Sequence, residues 1–278
     1  MAIQLRYDRK YRLRVGIRGQ ELEFLPPLRV AFECDKSIRG SLNKLTVKIF
    51  NLSDGSRKDL AKDTEDSSIE IPIKLDIGYG DKLENIFTGT VLTGYSERKG
   101  PEFITTIECL DGGFDLYNSF TSKSVIGKDQ AVKQIIQDFQ RTTEGKISQQ
   151  NNLVRPKVLV GNSIKLIEEQ LNDDETYFID SEKLYIIKNN DVIGSFIPVI
   201  SSETGLINQP QRANKIVTFT TMLNPSVKIG GRVDLRSETA THLNDIYRVE
   251  TIKYTGDNYG SEWTQDCNCL LVQNPVVL

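Results

Sequence analysis

The feature of this sequence that most constrains its fold is a period-two alternation of apolar residues, which occupies both ends of the chain but not its middle. Successive side chains of a strand point to opposite faces, so this spacing predicts half-buried antiparallel strands with one face on a core. Pro72 lies within one run and predicts an edge position or a bulge, because proline has no N–H for a neighbouring strand. Four runs in the first third show the alternation: Leu28, Val30, Phe32 and Cys34; Leu45, Val47 and Ile49; Ile69, Ile71, Ile73, Leu75 and Ile77; and Phe103, Thr105, Ile107 and Cys109.

Two short segments between these runs predict breaks in the sheet. Ser53 is a suitable N-cap for a short helix that ends near Lys62, because its hydroxyl can accept a hydrogen bond from a free N–H of the first turn. The Gly80-Asp81 pair predicts a tight turn before the strand that carries Ile86 and Val91.

The middle of the chain has a different period. Residues 128–142 predict a helix with one apolar face, formed by Val132, Ile135, Ile136 and Phe139. Asn162-Ser163 predicts the start of a second helix. The segment 180–183 between two short apolar runs predicts a hairpin.

Period two returns after Val192, most clearly at 215–221, 232–235, 247–254 and 263–271. The chain is therefore predicted to be mainly β (α+β), with a β domain at 1–121, a small α+β module at 122–190 and a second β domain at 191–278. The two β regions show no sequence repeat.

The segment "FTTMLNPSVKIGGRVDL" at 219–235 predicts a sharp corner between two strands. Asn224-Pro225 ends the first strand, because proline cannot donate to a ladder, and Gly230-Gly231 permits a bend that other residues resist. We expect Gly231 to have a positive φ, so that Gly231→Val would cost about 1–3 kcal/mol. A corner of a generic β-sandwich fits these residues as well as a corner of a barrel does.

Charge and hydropathy exclude several classes of protein. The formal net charge is −3 over 278 residues, which argues against a broad nucleic-acid-binding face, since such a face needs clustered Lys and Arg. The charged start of the chain predicts no secretory signal. No apolar run reaches the roughly 18 residues of a membrane-spanning helix.

The four cysteines, Cys34, Cys109, Cys267 and Cys269, predict reduced thiols in a protein made in the cytoplasm. Cys267 and Cys269 would share one face of a strand, as a metal half-site requires. With His242 as the one histidine of the sequence, four zinc ligands are hard to gather, so we interpret the thiols as strand residues and expect no metal and no cofactor.

The sequence predicts no catalytic residue. His242 lies in the polar segment "SETATHLND" and is interpreted as an exposed bystander. Glu168-Glu169 and Asp173-Asp174-Glu175 could supply a glycosidase with two facing carboxylates, but a charged helix end followed by a solvated turn explains them equally. Neither "GYGDKLENIFTG" nor "LDGGFD" has the glycine spacing of a phosphate-binding loop.

Three segments together resemble one known family. They are "NKLTVKIFNLSDGSRKDL" at 43–60, the segment 73–113, and the corner region from "ETGLINQPQRANKIV" onward with "YRVETIKYTGDNYGSEWTQDCNC". In the second, a strand ends in Gly78-Tyr79, an Ile-Phe-x-Gly strand containing Gly89 follows, and a third strand ends in Asp111-Gly112. In this order the segments resemble the phage tail hub proteins, the gp27-like hubs related to late control protein D and to the base of type VI secretion spikes.

The resemblance implies a structure and its partners. It implies two β-barrel domains of the tail-tube type flanking the small module, and a homotrimer whose six barrels match a sixfold tail tube. It implies contacts with the tail tube or distal tube-initiator protein and with the central spike. The tape measure protein and wedge or sheath components of the baseplate are further implied partners, and DNA is only passing cargo. The expected key positions are structural corners and turns: Asn224, Pro225, Gly230, Gly231, Gly78, Tyr79, Gly89, Asp111 and Gly112.

The sequence therefore predicts a structural baseplate hub, not an enzyme, which is made in the host cytoplasm and located in the virion. The slightly acidic charge suits a channel that must not hold DNA tightly. A tail-associated protein whose middle module binds the cell wall or degrades peptidoglycan is the alternative.

Overall fold

A computed structural model describes residues 8–17, 19–40, 42–66, 69–148 and 156–278. Residues 1–7, part of the charged start on which the expectation of no secretory signal rests, lie outside these residues. Within them, no helix is both long and apolar enough to cross a membrane.

The first β region contains seven strands and one helix. They are β1 (Arg9–Ile17), β2 (Gln20–Phe24), β3 (Val30–Ser37), β4 (Lys44–Phe50), α1 (Asp54–Leu60), β5 (Pro72–Tyr79), β6 (Lys82–Lys99) and β7 (Glu102–Leu110). Helix α1 begins where predicted, since the Ser53 hydroxyl accepts a hydrogen bond from the Ser56 N–H. The predicted Gly80-Asp81 turn joins β5 to β6, with Gly80 at φ +56°.

The middle region combines helices and strands. It contains α2 (Gly113–Asn118), β8 (Phe120–Ile126), α3 (Lys128–Ile136), β9 (Thr143–Ile147), β10 (Pro156–Asn162), α4 (Ser163–Glu168), β11 (Glu175–Ile179) and β12 (Lys183–Lys188). The Asn162 side chain caps α4. Strands β11 and β12 form the predicted hairpin.

The second β region follows. It contains β13 (Asp191–Val192), β14 (Val199–Ser201), β15 (Gln211–Ala213), β16 (Ile216–Met222), β17 (Arg232–Arg236), a 3-10 turn (Thr241–Leu243), β18 (Asp245–Asp257), β19 (Trp263–Leu270) and β20 (Val276–Val277). The four predicted strands correspond to β16, β17, β18 and β19.

The two β regions share one sheet, which the sequence did not predict. The main path of this 13-stranded sheet runs β15-β16-β19-β18-β3-β4-β7-β6-β5-β1-β2, and β17 and β14 branch from β18. Strand β18 pairs with β17 through its first residues and with β3 through residues 251–257. The described strands of one chain thus form an open path from β15 to β2, in which neither β region closes as a separate barrel.

Two apolar cores lie on the faces of this arrangement. The larger core contains residues of both β regions, and the smaller core belongs to the middle region. The hairpin β11–β12 contributes to both, because alternate side chains of a strand face opposite ways. Phe178 and Ile187 pack in the larger core, whereas Tyr177, Ile179 and Ile186 pack in the smaller one.

Two local predictions were wrong. The helix predicted at 128–142 ends at Ile136, because the buried Asp115 carboxylate accepts hydrogen bonds from the N–H groups of Gln140 and Thr142, both at 2.7 Å. Pro72 is neither at an edge nor in a bulge. It is the first residue of an interior strand, where β6 pairs with it and the pairing with β1 begins one residue later, so its missing N–H interrupts no ladder.

Candidate structural junction

The turn of the β11–β12 hairpin is the point at which the middle region is fastened to the first β region. Its two central residues, Ser181 and Glu182, have φ of 54° and 59°, the left-handed conformation of a tight two-residue hairpin turn. In that conformation both N–H groups donate to the Asp111 carboxylate, at 2.5 and 2.9 Å. A single buried side chain therefore binds the turn.

Asp111 is fully buried, and its surroundings shift its ionisation. Burial raises the pKa of Asp111 to about 8, the nearby Asp180 carboxylate adds to the rise, and Lys36 and the two N–H donors oppose it. A carboxyl group in this position is therefore sensitive to pH near neutrality.

A buried ion pair lies beside Asp111. The Lys36 ammonium contacts the Asp180 carboxylate. Burial lowers the pKa of Lys36, but Asp180, Cys34 and Asp111 together outweigh this effect and leave the pKa raised. The side-chain amide of Asn43 donates to the Ile179 carbonyl oxygen at 2.7 Å. The backbone carbonyl oxygen of Asn43 accepts from the Asp111 N–H at 3.0 Å. Strands β3 and β4 are thus tied to the hairpin by the residues next to Asp111.

Two glycines let backbone approach this hairpin closely. Gly112 has φ +71°, and a Cβ on it would lie 2.6 Å from the Ile179 Cδ1. Gly230 has φ +72°, and a Cβ on it would lie 2.9 Å from the Ile193 Cδ1 and 3.3 Å from the Phe178 Cζ. The first β region and the corner of the second therefore both pack against the β11–β12 hairpin.

The corner at 223–231 is held mainly through its carbonyl oxygens. The Tyr79 hydroxyl donates to the Leu223 carbonyl at 3.0 Å, and the Tyr254 hydroxyl donates to the Val227 carbonyl at 2.9 Å. The Lys228 ammonium donates to the Asn85 carbonyl at 2.8 Å. Tyr79 and Asn85 belong to the first β region, so these contacts cross between the regions.

Asn224 and Pro225 form the turn of the corner. The Asn224 side chain accepts from the Ser226 N–H at 3.2 Å, and its own N–H donates to the Gln265 side chain at 2.9 Å. Pro225 is buried. These two residues end strand β16 as predicted.

The predicted positive φ of Gly231 is wrong. The left-handed residue of the pair is Gly230, at φ +72°. Gly230 donates to the Val249 carbonyl and accepts from the Ile193 N–H, both at 2.8 Å, so the bend comes one residue earlier and Gly231 already continues toward β17.

Gly78 and Gly89 permit close approach within the first β region. A Cβ on Gly78 would lie 1.8 Å from the Lys82 carbonyl oxygen, and one on Gly89 would lie 2.4 Å from the Leu110 carbonyl oxygen. Both atoms are backbone, so they cannot move aside as a side chain can. Gly89 thereby fixes the position of the strand end that carries Asp111.

The sequence did not identify Lys36, Asn43 or Asp180 as members of the junction. Lys36 and Asp180 are 144 residues apart, and no local pattern relates them. The one available signal was the hairpin turn at 180–183, whose polar residues could have been expected to bond to a neighbouring region.

Two of the carboxylates considered for catalysis have structural partners. Glu168 accepts a hydrogen bond from the Tyr177 hydroxyl at 2.7 Å, and Glu175 is buried with Lys128 at 3.2 Å. A groove of about 440 Å³ in the middle region is lined by Glu169 together with Lys128, Lys157 and Gln170. Among its described lining residues Glu169 is the one carboxylate, whereas glycoside hydrolysis uses two that face each other.

The hydrogen bonds of the junction described above involve neither the cysteines nor His242. All four cysteines are buried free thiols, and burial raises the pKa of Cys34 to about 12, which makes that thiol a poor nucleophile. His242 is exposed on the short 3-10 turn.

The solvent-facing side of the central sheet is concave and polar. Opposite charges alternate across four neighbouring strands, in the register Lys44–Asp35–Lys253–Asp266. The hollow above them has a volume of about 570 Å³. Thr46, Thr251, Thr255 and Thr264 lie on the same strands, so this face is hydrophilic and has no excess of either charge among these residues.

Comparison with known proteins agrees with this architecture. A family model described as baseplate hub gp41 matches residues 12–269. No curated protein matches the chain.

Solved structures share the fold at low sequence identity. A tail protein of Neisseria meningitidis MC58 is 9% identical with a TM-score of 0.58, covering 94% of this chain and 96% of its own. The 43 kDa tail protein of prophage MuSo2 from Shewanella oneidensis is 8% identical with a TM-score of 0.61, covering 94% and 97%. The E. coli c3393 protein is 8% identical with a TM-score of 0.59, covering 94% and 77%; it is described as a type VI secretion component structurally similar to the T4 tail proteins gp27 and gp5.

Proposed function

The chain belongs to the baseplate hub gp41 family, and from this premise we propose that it forms a trimeric, pseudo-sixfold ring that joins the tail tube to the central spike. The family is one of baseplate hubs and two of the structural neighbours are tail proteins, so the chain is a virion component. Its synthesis in the host cytoplasm and its action without enzymatic activity are parts of the proposal.

The observation that carries the proposal is the pairing of β3 with β18. Seven residue pairs join the two β regions into one sheet, and the β11–β12 hairpin packs against both. A hub must present two β units at a fixed angle if three copies are to match a sixfold tube. A continuous sheet fixes that angle better than a flexible linker does.

We assign one tube-like β unit to 1–121 and the other to 191–278, with the middle module at 122–190 held by Asp111. Neither unit closes within one described chain, so we infer that neighbouring copies complete the ring. The corner positions Asn224, Pro225, Gly230 and Gly231, with Gly78, Tyr79, Gly89, Asp111 and Gly112, act by setting the angle between the units.

The concave polar face supports a role in lining a channel. A face that alternates Lys44, Asp35, Lys253 and Asp266 has no excess of cations, and it would therefore gain little from releasing counterions of DNA phosphates. DNA could pass along such a surface without being held. The tube, spike, tube-initiator, tape measure, wedge and sheath proteins are the partners that we propose for the other faces.

The mass of the purified chain, measured in solution with and without the spike protein of the same phage, tests the proposal. We expect three copies of the chain in the complex with the spike. A complex with one copy of the chain per spike subunit but no threefold assembly, or one with six copies, would contradict the trimer.

The alternative function, binding or cleavage of the cell wall, rests on the groove beside Glu169. Purified chain incubated with peptidoglycan should release no soluble fragments, and Glu168→Gln and Asp174→Asn should match the unmodified chain. Release of fragments that either substitution abolishes would establish an enzyme instead.

A further inference from the structure

The two ends of the main path of the 13-stranded sheet, β2 and β15, are unpaired on their outer sides within the described residues, and they carry opposite charges. Strand β2 pairs with β1 alone, and β15 pairs with β16 alone. Strand β2 carries Glu21 and Glu23, whereas β15 carries Arg212, with Lys215 close behind. The sequence has no acidic residue from 205 to 233, so the basic character of the second edge is not locally offset.

The charged side chains of both edges face solvent. Glu21 and Arg212 are exposed. Arg212 makes a local hydrogen bond to the Asn214 carbonyl at 3.0 Å, and Glu23 contacts Arg12 at 3.2 Å with both side chains about half exposed. An exposed edge of this kind offers unpaired N–H and C=O groups to another strand.

The signs of the charges decide which pairing is favourable. Two β2 edges would bring Glu21 against a second glutamate edge, and two β15 edges would bring arginine against arginine; like charges on opposed strands are destabilising. A β2 edge against a β15 edge brings opposite charges together. The charges therefore oppose a symmetric dimer formed by identical edges and favour a head-to-tail contact, and a head-to-tail contact that closes makes a ring.

We propose that β2 of one copy pairs with β15 of the next copy, so that the sheet continues from subunit to subunit. This inference rests on the proposed ring and names the surfaces that form it. The contact is short, because Pro26 and Pro27 follow β2 closely and Pro210 precedes β15, and proline supplies no N–H to a ladder.

Charge reversal in phage tails tests the proposal. The variants Glu21→Lys and Arg212→Glu should each lower the number of complete tails about tenfold or more, because like-charge contacts at an interface are costly. The double variant restores opposite charges and should return the yield to within about threefold of the original. Glu144→Lys, an exposed reversal in the middle region, is the matched control and should leave the yield unchanged. Unfolding midpoints of the purified variants identify any that fail through folding.

Cross-linking identifies the contact directly. All four native cysteines are buried, so Glu21→Cys and Arg212→Cys introduce thiols that alone react at the surface. In assembled tails the double-cysteine variant should form disulfide-linked dimers and trimers, since a disulfide requires Cα atoms about 4.4–6.8 Å apart, and each single-cysteine variant should not.

Each other result overturns the inference. Dimers from Glu21→Cys alone would show that identical edges meet. A threefold ring that forms no cross-links in the double-cysteine variant would refute the edge pairing but not the ring. Normal tails from the single charge reversals would do the same. A tail whose hub is not a ring of three would instead refute the proposed function.

Discussion

The hairpin junction and the 223–231 corner both fasten one region of the chain to another, but they do so by different physics. At the hairpin, buried charged groups hold the turn: Asp111 binds two N–H groups, and Lys36 pairs with Asp180. At the corner, tyrosine hydroxyls bind carbonyl oxygens and Gly230 allows a close bend. The hairpin contact should respond to charge and pH, whereas the corner should respond to shape.

The hairpin junction and the corner should differ in how well they tolerate substitutions. A buried charge network is stable only while every member is present, because a remaining charge without its partner is costly. Contacts to backbone carbonyls are nearly independent of one another, so the loss of one should leave the others intact. We therefore expect the largest effects of substitution at the hairpin.

Lys36→Met gives the largest effect that we predict. It leaves the Asp180 carboxylate without its cation partner, which should lower the free energy of unfolding by about 3–5 kcal/mol. Urea denaturation of the purified chain measures it, and Lys44→Met, an exposed change on the next strand, is the control with an expected change within about 0.5 kcal/mol. Equal stability of the two variants would show that the hairpin does not depend on its charges.

Asp111 makes the stability of the hairpin dependent on pH. Its pKa is raised to about 8 in the folded chain from a usual value of 3.8. Between these two values the folded chain holds a proton on Asp111 that the unfolded chain has lost. The contribution of Asp111 to stability is therefore complete below pH 4 and is lost as the pH rises toward 8. Between these limits the free energy of unfolding should fall with pH, at a rate that approaches about 1.4 kcal/mol per pH unit.

The stability of Asp111→Asn, measured beside the unmodified chain from pH 5 to pH 8, isolates this slope. As the pH rises, the free energy of unfolding of the unmodified chain should fall relative to that of Asp111→Asn. A difference that is constant with pH, or that shifts the other way, would show that Asp111 is ionised throughout.

Gly230→Ala tests the shape of the corner. A Cβ at this left-handed position should cost about 1–3 kcal/mol, because non-glycine residues are strained there. Gly231→Ala is the matched control, since Gly231 lacks a positive φ and its Cβ would meet the Lys228 carbonyl oxygen at 3.1 Å, so a smaller cost is expected. Thermal unfolding of both variants ranks them, and a larger loss from Gly231→Ala would invert the assignment of the bend.

Among the substitutions at the hairpin and the corner, Tyr254→Phe should have the smallest effect on stability. It removes the donor to the Val227 carbonyl oxygen and retains the buried ring, so a loss of about 1 kcal/mol is expected. His242→Ala, an exposed change on the 3-10 turn, should leave both stability and tail formation unchanged. If Tyr254→Phe abolished folding, the independence of the corner contacts would be wrong.

The sequence predicted the elements well because their signals are local. Ser53, Asn162 and the alternating runs define caps and strands through neighbours within a few residues. The sequence also selected Asp111, Gly112 and Tyr79, through the resemblance to a family, although it assigned them to turns alone. Their contacts with Ser181, Ile179 and Leu223 join parts of the chain far apart in sequence.

The errors have physical causes of the same kind. The helix expected up to residue 142 ends early because Asp115, more than twenty residues away, captures the N–H groups of the predicted last turn. The pairing of β3 with β18 spans more than 200 residues, and alternation reveals that a strand exists but not which strand pairs with it. The choice between Gly230 and Gly231 depended on one backbone angle, which two adjacent glycines do not reveal.

We propose that three copies of this chain form the hub ring of a phage tail. A cryo-electron microscopy reconstruction of the intact baseplate without imposed symmetry tests it most directly. We expect three subunits in the hub ring, with the β regions 1–121 and 191–278 alternating as six similar units beneath the tube. A ring of six chains, or three chains whose two β regions take unrelated positions, would contradict it.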